Sequence, residues 1–513
     1  MTTTTRNNLR PSTFTWPRLT TLLYWPWDLV LLLILFGRLY QQTMPPGISS
    51  WLIEGWDSAM FQITGSTWGI PHSPGYPLYI ILSNLFVRLV GLLPGLADSS
   101  VVWRVSLWST FTSLLTLVFH YMVTRRLARN RGAAIIAGAL LAASFIFWRG
   151  AIMAEVYSLN ALIFVLTFWL ALKWDDNPRD RWLVALGLVL GAGLVHHRTA
   201  FILPPTIALW ALLRRPKNIE RPARPPGPRW RLVLRRWLIL GGTALLPLLT
   251  YLYLPWAARS RVGESWLYAN TADWNTFWFV VLTREWWGLV QPPADAAAWL
   301  AALETLFWQQ AGQITPVGVV LGLLGLLAAR RYVWLLAPPF LALTFFGVAY
   351  KVADLDSMLI PLTLTLGVGV GIFTGLVIRR LVIWLVRIIR VKDEAFRGRW
   401  LAPALRWLLS LAVGVGAYLL LRPLAEANYA AVDLSGDWQA VDLVEEVVAI
   451  SQAGTPLTII GQDNSVLPDF IYAKTVLEQP VEPLSTTTLA RMPEADSIAL
   501  LQKRFDEGRR ILV

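Results

Sequence analysis

The sequence predicts an all-α polytopic membrane protein of about eleven transmembrane helices, with a small extracytoplasmic α/β module at its C-terminal end. Three observations carry this. Apolar runs of about 20 residues, the length that crosses a hydrocarbon core, recur along a 513-residue chain that is 55% hydrophobic. Tryptophan occurs 28 times, which suits rings that anchor at the membrane–water interface. The basic residues fall on alternate loops, so the net charge of +13 reads as a topology signal, not as a nucleic-acid footprint.

The first span is placed at Trp27–Tyr40. The polar, basic stretch before it (Thr2 to Arg18) and the absence of an Ala-x-Ala site make it a retained span, not a signal peptide. The next apolar stretch, Tyr76–Leu93, is expected to lie flat at the outer interface. Treating it as a span would put Arg125, Arg126, Arg129 and Arg131 outside and invert the later loops. The other spans are Val102–Val123, Ala133–Phe147, Leu159–Lys173, Trp182–Val195, Ala200–Leu213, Trp237–Trp256, Pro316–Ala329, Val333–Tyr350, Leu359–Ile378 and Leu401–Leu421, with the N-terminus inside and the C-terminus outside. Inner segments then carry 28 Lys and Arg, against 7 in outer segments before the tail. The inner loop Arg214–Arg236, with its Arg-Pro-Pro-Gly-Pro core, reads as a solvated, lipid-facing linker.

This divides the chain into a transmembrane domain, 1–425, with an amphipathic first outer loop at 44–100, and an outer module, 426–513. In the module, Trp438–Ser451 has helical spacing and Leu457–Gly461 reads as a strand. Asp463-Asn464-Ser465 is expected to cap the helix after it, and Arg510–Val513 reads as the start of another strand, cut short where the chain ends.

On this topology the unusual polar residues converge on the outer face. Asp57 and His72 lie in the first outer loop. Glu155, in Ala154-Glu155-Val156-Tyr157-Ser158-Leu159-Asn160, opens a span. His196-His197-Arg198 joins two spans, as does Tyr350-Lys351-Val352-Ala353-Asp354-Leu355-Asp356. The long outer loop Ala257–Gln313 carries Arg284-Glu285-Trp286-Trp287. An acidic residue at such a mouth is costly beside lipid and usually lines a cavity. A carboxylate next to a bound hydroxyl can take its proton during group transfer, and a His-Arg pair can hold a phosphate. These parts fit a transferase that uses a lipid-linked phosphosugar. Each also has a structural reading: Asp57 as a helix cap, Glu155 as partner of Arg149, His196 and His197 as packed histidines, Asp354 and Asp356 as caps. No cysteine is present, so disulfides, thiolate metal sites and cysteine nucleophiles are excluded. His-x-x-His spacing, a glycine-rich phosphate loop and a Gly-x-Ser-x-Gly elbow are absent, and no metal site is expected.

His72-Ser73-Pro74-Gly75-Tyr76-Pro77-Leu78-Tyr79 resembles the His-Pro-Pro-Gly-Tyr-Pro-Leu-Tyr motif of glycosyltransferase family 117, first catalogued as domain of unknown function 2723, which includes animal transmembrane protein O-mannosyltransferases. Ala154–Asn160, His196-His197-Arg198-Thr199, Tyr253-Leu254-Pro255, Tyr350 through Pro361 and Gly461-Gln462-Asp463-Asn464 extend the resemblance over nearly the whole chain. It implies a GT-C-like architecture with a catalytic acidic residue in the first outer loop, here Asp57. Two positions depart from the pattern. Ala59 and Met60 replace Gly-Glu, and Ser73 replaces a proline. A mechanism needing two carboxylates would recruit Glu54 or one from another loop.

The expected function is transfer of a sugar from a polyprenyl-phosphate donor to an outer acceptor hydroxyl on a protein or glycan, with inversion. Asp57 is the expected general base. His72, His196, His197 and Arg198 are expected at the donor, and Glu155, Tyr157, Asn160, Asp354 and Asp356 orient sugar or acceptor. A lipid-linked glycan transporter and an inactive envelope scaffold are the rival readings. Residue chemistry leaves the sugar, the metal dependence and the oligomeric state open.

Overall fold

A computed structural model describes residues 26–49, 55–213, 229–389, 400–452, 456–462 and 466–513. Most are helical. The first helix, α1, is Trp27–Thr43. After it come α2 (Gly55–Thr67), α3 (Pro77–Val90), α4 (Val101–Ala128), α5 (Arg131–Ala142), α6 (Phe145–Ile152), α7 (Tyr157–Asp176), α8 (Asp180–His196), α9 (Leu203–Leu213) and α10 (Arg229–Leu245). Helical structure continues from α10 to Ser260. The second half holds α11 (Trp274–Val281), α12 (Ala296–Ile314), α13 (Pro316–Ala328), α14 (Val333–Ala349), α15 (Ile360–Ile388) and α16 (Ala402–Val432).

Helices occupy all eleven stretches expected to span. By length and composition, six among the described residues are long and apolar enough to cross a membrane, or eight if two bent pairs each count as one. The difference from eleven is a matter of length: α1 and α8 have 17 residues each, which at 1.5 Å per residue reach about 26 Å. The bent pairs are α5 with α6, at 68°, and α12 with α13, at 103°. The second pair corrects one expectation. The long loop expected at Ala257–Gln313 holds two helices, α11 and most of α12: Asp273 caps the first and Asp295 the second, each accepting the backbone N–H three residues on. The expected interfacial stretch Tyr76–Leu93 forms α3, a shorter apolar helix of 14 residues.

The helices differ in depth. In the apolar windows of α7 and α15, 83% of residues are buried, and in that of α16 only 6%. A helix that is apolar all round belongs in the middle, and α7 is buried along nearly its whole length. Between α13 and α15 small residues set the spacing: a Cβ on Gly325 would lie 1.8 Å from the Gly369 carbonyl oxygen. Only glycine permits that backbone approach.

The C-terminal module has a three-stranded parallel sheet, β1 (Leu457–Gly461), β2 (Val481–Ser485) and β3 (Arg510–Leu512), in the order β2-β1-β3. Helices α17 (Gln439–Gln452) and α18 (Leu467–Thr475) cover it. The expected cap at 463–465 lies outside the described residues. The preceding helix α16 runs to Val432, seven residues past the boundary expected at 425. The module docks on α2. Ala59 and Ile63, four apart on one face, join its core with Ile48 and Val102, while Met60 and Phe61 face the core of the transmembrane domain. Helix α2 is thus clamped from both sides.

Candidate functional site

Asp57 lies in the first turn of α2, where a negative charge complements the helix dipole. Ser58 anchors it laterally: its hydroxyl accepts the Ala154 N–H at 2.9 Å and meets Ser49 Oγ at 3.3 Å. That bond brings Glu155 beside Asp57. A polar stripe on α4 fixes the same segment. Thr110 donates to the Ala151 carbonyl at 2.7 Å, Thr112 to Ser158 Oγ at 2.9 Å, and Ser109 Oγ accepts the Glu155 N–H at 3.3 Å.

His72 meets Asp57 from the next loop, Nε2 to Oδ2 at 3.5 Å, an ion-pair distance too long for a strong hydrogen bond. Its Nδ1 meets the Ser73 carbonyl at 2.8 Å. The turn after it is tight: Gly75 and Tyr76 both have positive φ, +79° and +40°. A Cβ on Gly75 would come within 2.8 Å of Leu254, which accounts for the glycine in the motif. Rings of Phe61, Tyr76, Tyr268 and Trp286 surround the imidazole at 5.3–6.4 Å. Burial opposes protonation of His72, but the Asp57 carboxylate beside it raises it above the usual histidine value on balance.

Three other segments complete the cleft. Asp354 accepts a short hydrogen bond from the Tyr157 hydroxyl. Burial, with the Asp57 charge adding, lifts its carboxyl above the usual range against the pull of that bond. Glu155 is raised further, by burial first and then by Asp57 and Asp354, with Arg149 offsetting in part. Arg198 follows the end of α8. Its Nη2 donates to the Val281 carbonyl, and its buried Nε has no acceptor. His197 is buried against Thr199 Oγ1 at 2.8 Å; burial, then His196, Arg198 and His72, draw it down to about 3, so it is neutral.

These residues line three adjoining cavities. The central one, about 400 Å³, is bounded by Asp57, His72, Tyr157, His197, Arg198, Asp354 and a set of aromatic rings, among them Tyr268, Trp286 and Tyr350. A second, about 280 Å³, shares Asp57, Tyr157 and Asp354 and adds Glu155, Arg149 and Ser357. A third, about 420 Å³, shares Arg198, Phe346 and Tyr350 with the first and is otherwise mainly apolar, with Ile202, Ala342 and Phe345. Asp57, Tyr157 and Asp354 therefore stand between a polar chamber and an aromatic one, and Arg198 stands where the aromatic chamber meets an apolar groove.

Not every expected site residue lines a cavity. His196 is fully buried; its Nε2 meets the Val156 carbonyl at 2.8 Å and its ring stacks on Tyr79. Asn160 donates to Thr199 Oγ1 at 2.9 Å behind the wall. Asp356 accepts from Gln309. None of these three lines the three cavities described above. Met60 is buried in the apolar core and lines none of these three cavities, and Glu54 is outside the described residues. The further carboxyls come from Glu155 and Asp354. Tyr268 was not singled out from the sequence. It comes to His72 through backbone bonds that lace 266–268 to Ile70, at 2.8 Å each. The bonds joining 289–291 to 349–351 hold Tyr350 and the Trp286-Trp287 pair in the same way. Nothing local in the sequence signals either pairing. Among the described residues no group of three potential ligands could hold a metal ion.

Residues 57–220 match the family model of the N-terminal domain of protein O-mannosyl-transferase TMEM260. The mouse protein O-mannosyl-transferase TMEM260 is 26% identical over 220 residues, 42% of this chain and 29% of that protein. The Dictyostelium discoideum protein of the same name is 25% identical over 151 residues, 29% of this chain and 17% of that one. The chain thus aligns with less than a third of the length of these curated relatives. ArnT from Cupriavidus metallidurans has a similar structure at 15% identity. The crystal structure with undecaprenyl phosphate gives a TM-score of 0.53 and covers 93% of this chain and 88% of that one. The apo structure gives 0.55, covering 90% of each. The resemblance read from the sequence is borne out over residues 57–220, the polytopic helical fold is similar to that of the ArnT structures, and the chain is a multi-pass membrane protein.

Proposed function

We propose that this protein is an integral membrane glycosyltransferase that moves a sugar from a polyprenyl-phosphate donor to an acceptor hydroxyl, with Asp57 as general base. The observation that carries the reading is the wall formed by Asp57, Tyr157 and Asp354, shared by the polar and the aromatic chambers. A donor sugar in the aromatic chamber and an acceptor in the polar one would meet at this wall. The apolar groove beyond Arg198 suits a lipid chain, and the Arg198 Nε–H that lacks an acceptor suits a phosphate oxygen at its head. ArnT was crystallised with such a lipid phosphate.

In the proposed step the acceptor oxygen bonds to the anomeric carbon while the bond from that carbon to the phosphate oxygen breaks. Asp57 takes the hydroxyl proton, and His72 orients Asp57. The lipid phosphate leaves against Arg198, and one displacement inverts the anomeric centre. Tyr157 and Asp354 hold sugar hydroxyls. Glu155, whose carboxyl is lifted well above the usual range by burial and then by the charges of Asp57 and Asp354, is placed to donate a hydrogen bond to the acceptor. By analogy with the TMEM260 proteins, the donor sugar is mannose and the acceptor a protein; the charge asymmetry of the loops supports an extracytoplasmic acceptor.

The test is transfer of radiolabelled sugar from a panel of polyprenyl-phosphate sugars to peptide and glycan acceptors, by purified protein with and without chelator. Transfer from one donor that stops in Asp57→Asn supports the reading. No transfer from any donor, with the lipid phosphate bound as tightly by Arg198→Ala as by wild type, overturns it.

A further inference from the structure

At the opposite end of α7 lies a cavity of about 410 Å³ that the transfer reaction does not use. The C-terminal turns of α4 and α7 form it, and Met122, Arg125, Arg126, Arg129, Trp169, Leu172, Lys173 and Asp176 line it. Its lining on α7, Trp169 to Asp176, begins twelve residues and ends nineteen residues past Tyr157 of the catalytic cleft, about 18–28 Å at 1.5 Å per residue. It therefore lies near the other membrane face.

The charges in this cavity do not balance. Arg126 is occupied: its fork holds both Asp176 oxygens, and Nη2 also donates to the Tyr332 hydroxyl at 3.0 Å. Asp176 is thus answered, and no other carboxylate lines the cavity. Among the described residues no carboxylate pairs with Arg125, Arg129 or Lys173. The Lys173 ammonium sits 5.3 Å from the Trp169 ring centroid, and the Arg125 guanidinium 6.0 Å from that of Tyr121. Arg129 is the left-handed residue that ends α4, with φ +56° and its N–H on the Arg125 carbonyl at 2.9 Å. Glycine fits that position with less strain, so the cap alone gives no reason for an arginine. The rest of the lining is apolar: Leu172 is buried, Met122 half-buried, and Trp169 packs edge-on against Phe119 and Trp182.

We infer that this cavity binds the phosphodiester headgroup of an anionic membrane lipid, with Arg125, Arg129 and Lys173 around the phosphate and Trp169, Met122 and Leu172 against the start of the acyl chains. Basic pockets between membrane helices recognise lipid headgroups in this way. The apolar side of the cavity favours a lipid over free phosphate. The inference is independent of the catalytic reading, and its test does not use sugar transfer.

The experiment measures binding of dihexanoyl phosphatidylglycerol, dihexanoyl phosphatidylcholine and inorganic phosphate to the purified full-length protein in neutral detergent. Phosphatidylglycerol should bind saturably and phosphatidylcholine should not. At about fivefold per charge, the Arg125→Gln/Arg129→Gln/Lys173→Gln variant should bind roughly 100-fold more weakly. Arg379→Gln/Arg380→Gln, exposed cations outside the cavity, should leave binding unchanged. If the triple variant fails to insert, Arg125→Gln and Lys173→Gln singly carry the test, each at about fivefold. Equal binding of the two lipids, or undiminished binding by the cavity variants, overturns the inference and leaves the cations as partners of the helix ends. Displacement of phosphatidylglycerol by equimolar inorganic phosphate overturns its lipid part.

Discussion

Helix α7 begins at Tyr157 in a cleft of carboxyls and ends at Asp176 among cations, and the two ends are built differently. At the first end, Asp57, Glu155 and Asp354 come from three separate segments and meet in a buried cleft, where burial first and the neighbouring carboxylates second lift Glu155 and Asp354 above the usual carboxylate range. Such crowding costs stability and is kept where chemistry needs it. At the second end the cations come from two neighbouring helix termini, where they also complement the helix dipoles. The first end is assembled by tertiary structure and strained electrostatically. The second follows from local sequence.

The comparison breaks most completely if the two ends face the same compartment. Single cysteines at Asp98, Asn177 and Ala495 in this cysteine-free chain can be labelled with an impermeant reagent in intact cells. Asp98→Cys and Ala495→Cys should label and Asn177→Cys should not. Labelling of Asn177→Cys alone would invert the proposed topology.

Next in size is the effect of Asp57. Asp57→Asn should lower turnover by ~100-fold or more, as loss of a general base does, with lipid-phosphate binding intact. The triple cation variant at the other end should leave turnover near wild type. If Asp57→Asn turns over like wild type, the carboxylate is only a first-turn charge on α2.

A smaller loss is expected at Arg198. Arg198→Ala should weaken binding of a fluorescent polyprenyl phosphate in nanodiscs by ~1.5–3 kcal/mol, the range for a charge-assisted hydrogen bond. Arg198→Lys should fall between, because an ammonium is a point charge and not a planar fork. Three superimposable titrations would mean that Arg198 only anchors the Val281 carbonyl and stacks on Phe201.

The smallest effect concerns Glu155 and pH. Its folded-state pKa lies above its unfolded value, so the folded protein binds the extra proton. Stability is highest below the ordinary glutamate range and falls as pH rises through the window up to the raised value. Glu155→Gln should remove this decline, read as a flatter Tm against pH in nanodiscs. Parallel Tm curves for the variant and wild type would show that Glu155 is not crowded.

The sequence alone was enough for the class of protein and for many of the residues that line its cleft. Hydropathy and charge asymmetry act over whole segments and depend little on packing, so the helical stretches, with the shorter apolar α3 among them, were legible. Asp57, His72, Glu155, Arg198 and Asp354 were legible because polar residues at the ends of apolar runs are few. What tertiary structure decided is which of two neighbours turns toward the cleft. His196 is the last residue of α8 and His197 the first extended one, so only His197 reaches the cavity. Asp354 precedes a short helical turn and meets Tyr157, while Asp356, two residues on, meets Gln309. Tyr268, brought beside His72 by backbone pairing across nearly 200 residues of chain, carries no local mark at all. Composition and periodicity report the cost of placing a residue in lipid or water. The direction of a side chain is set by helix ends and long-range bonds, which only the folded chain contains.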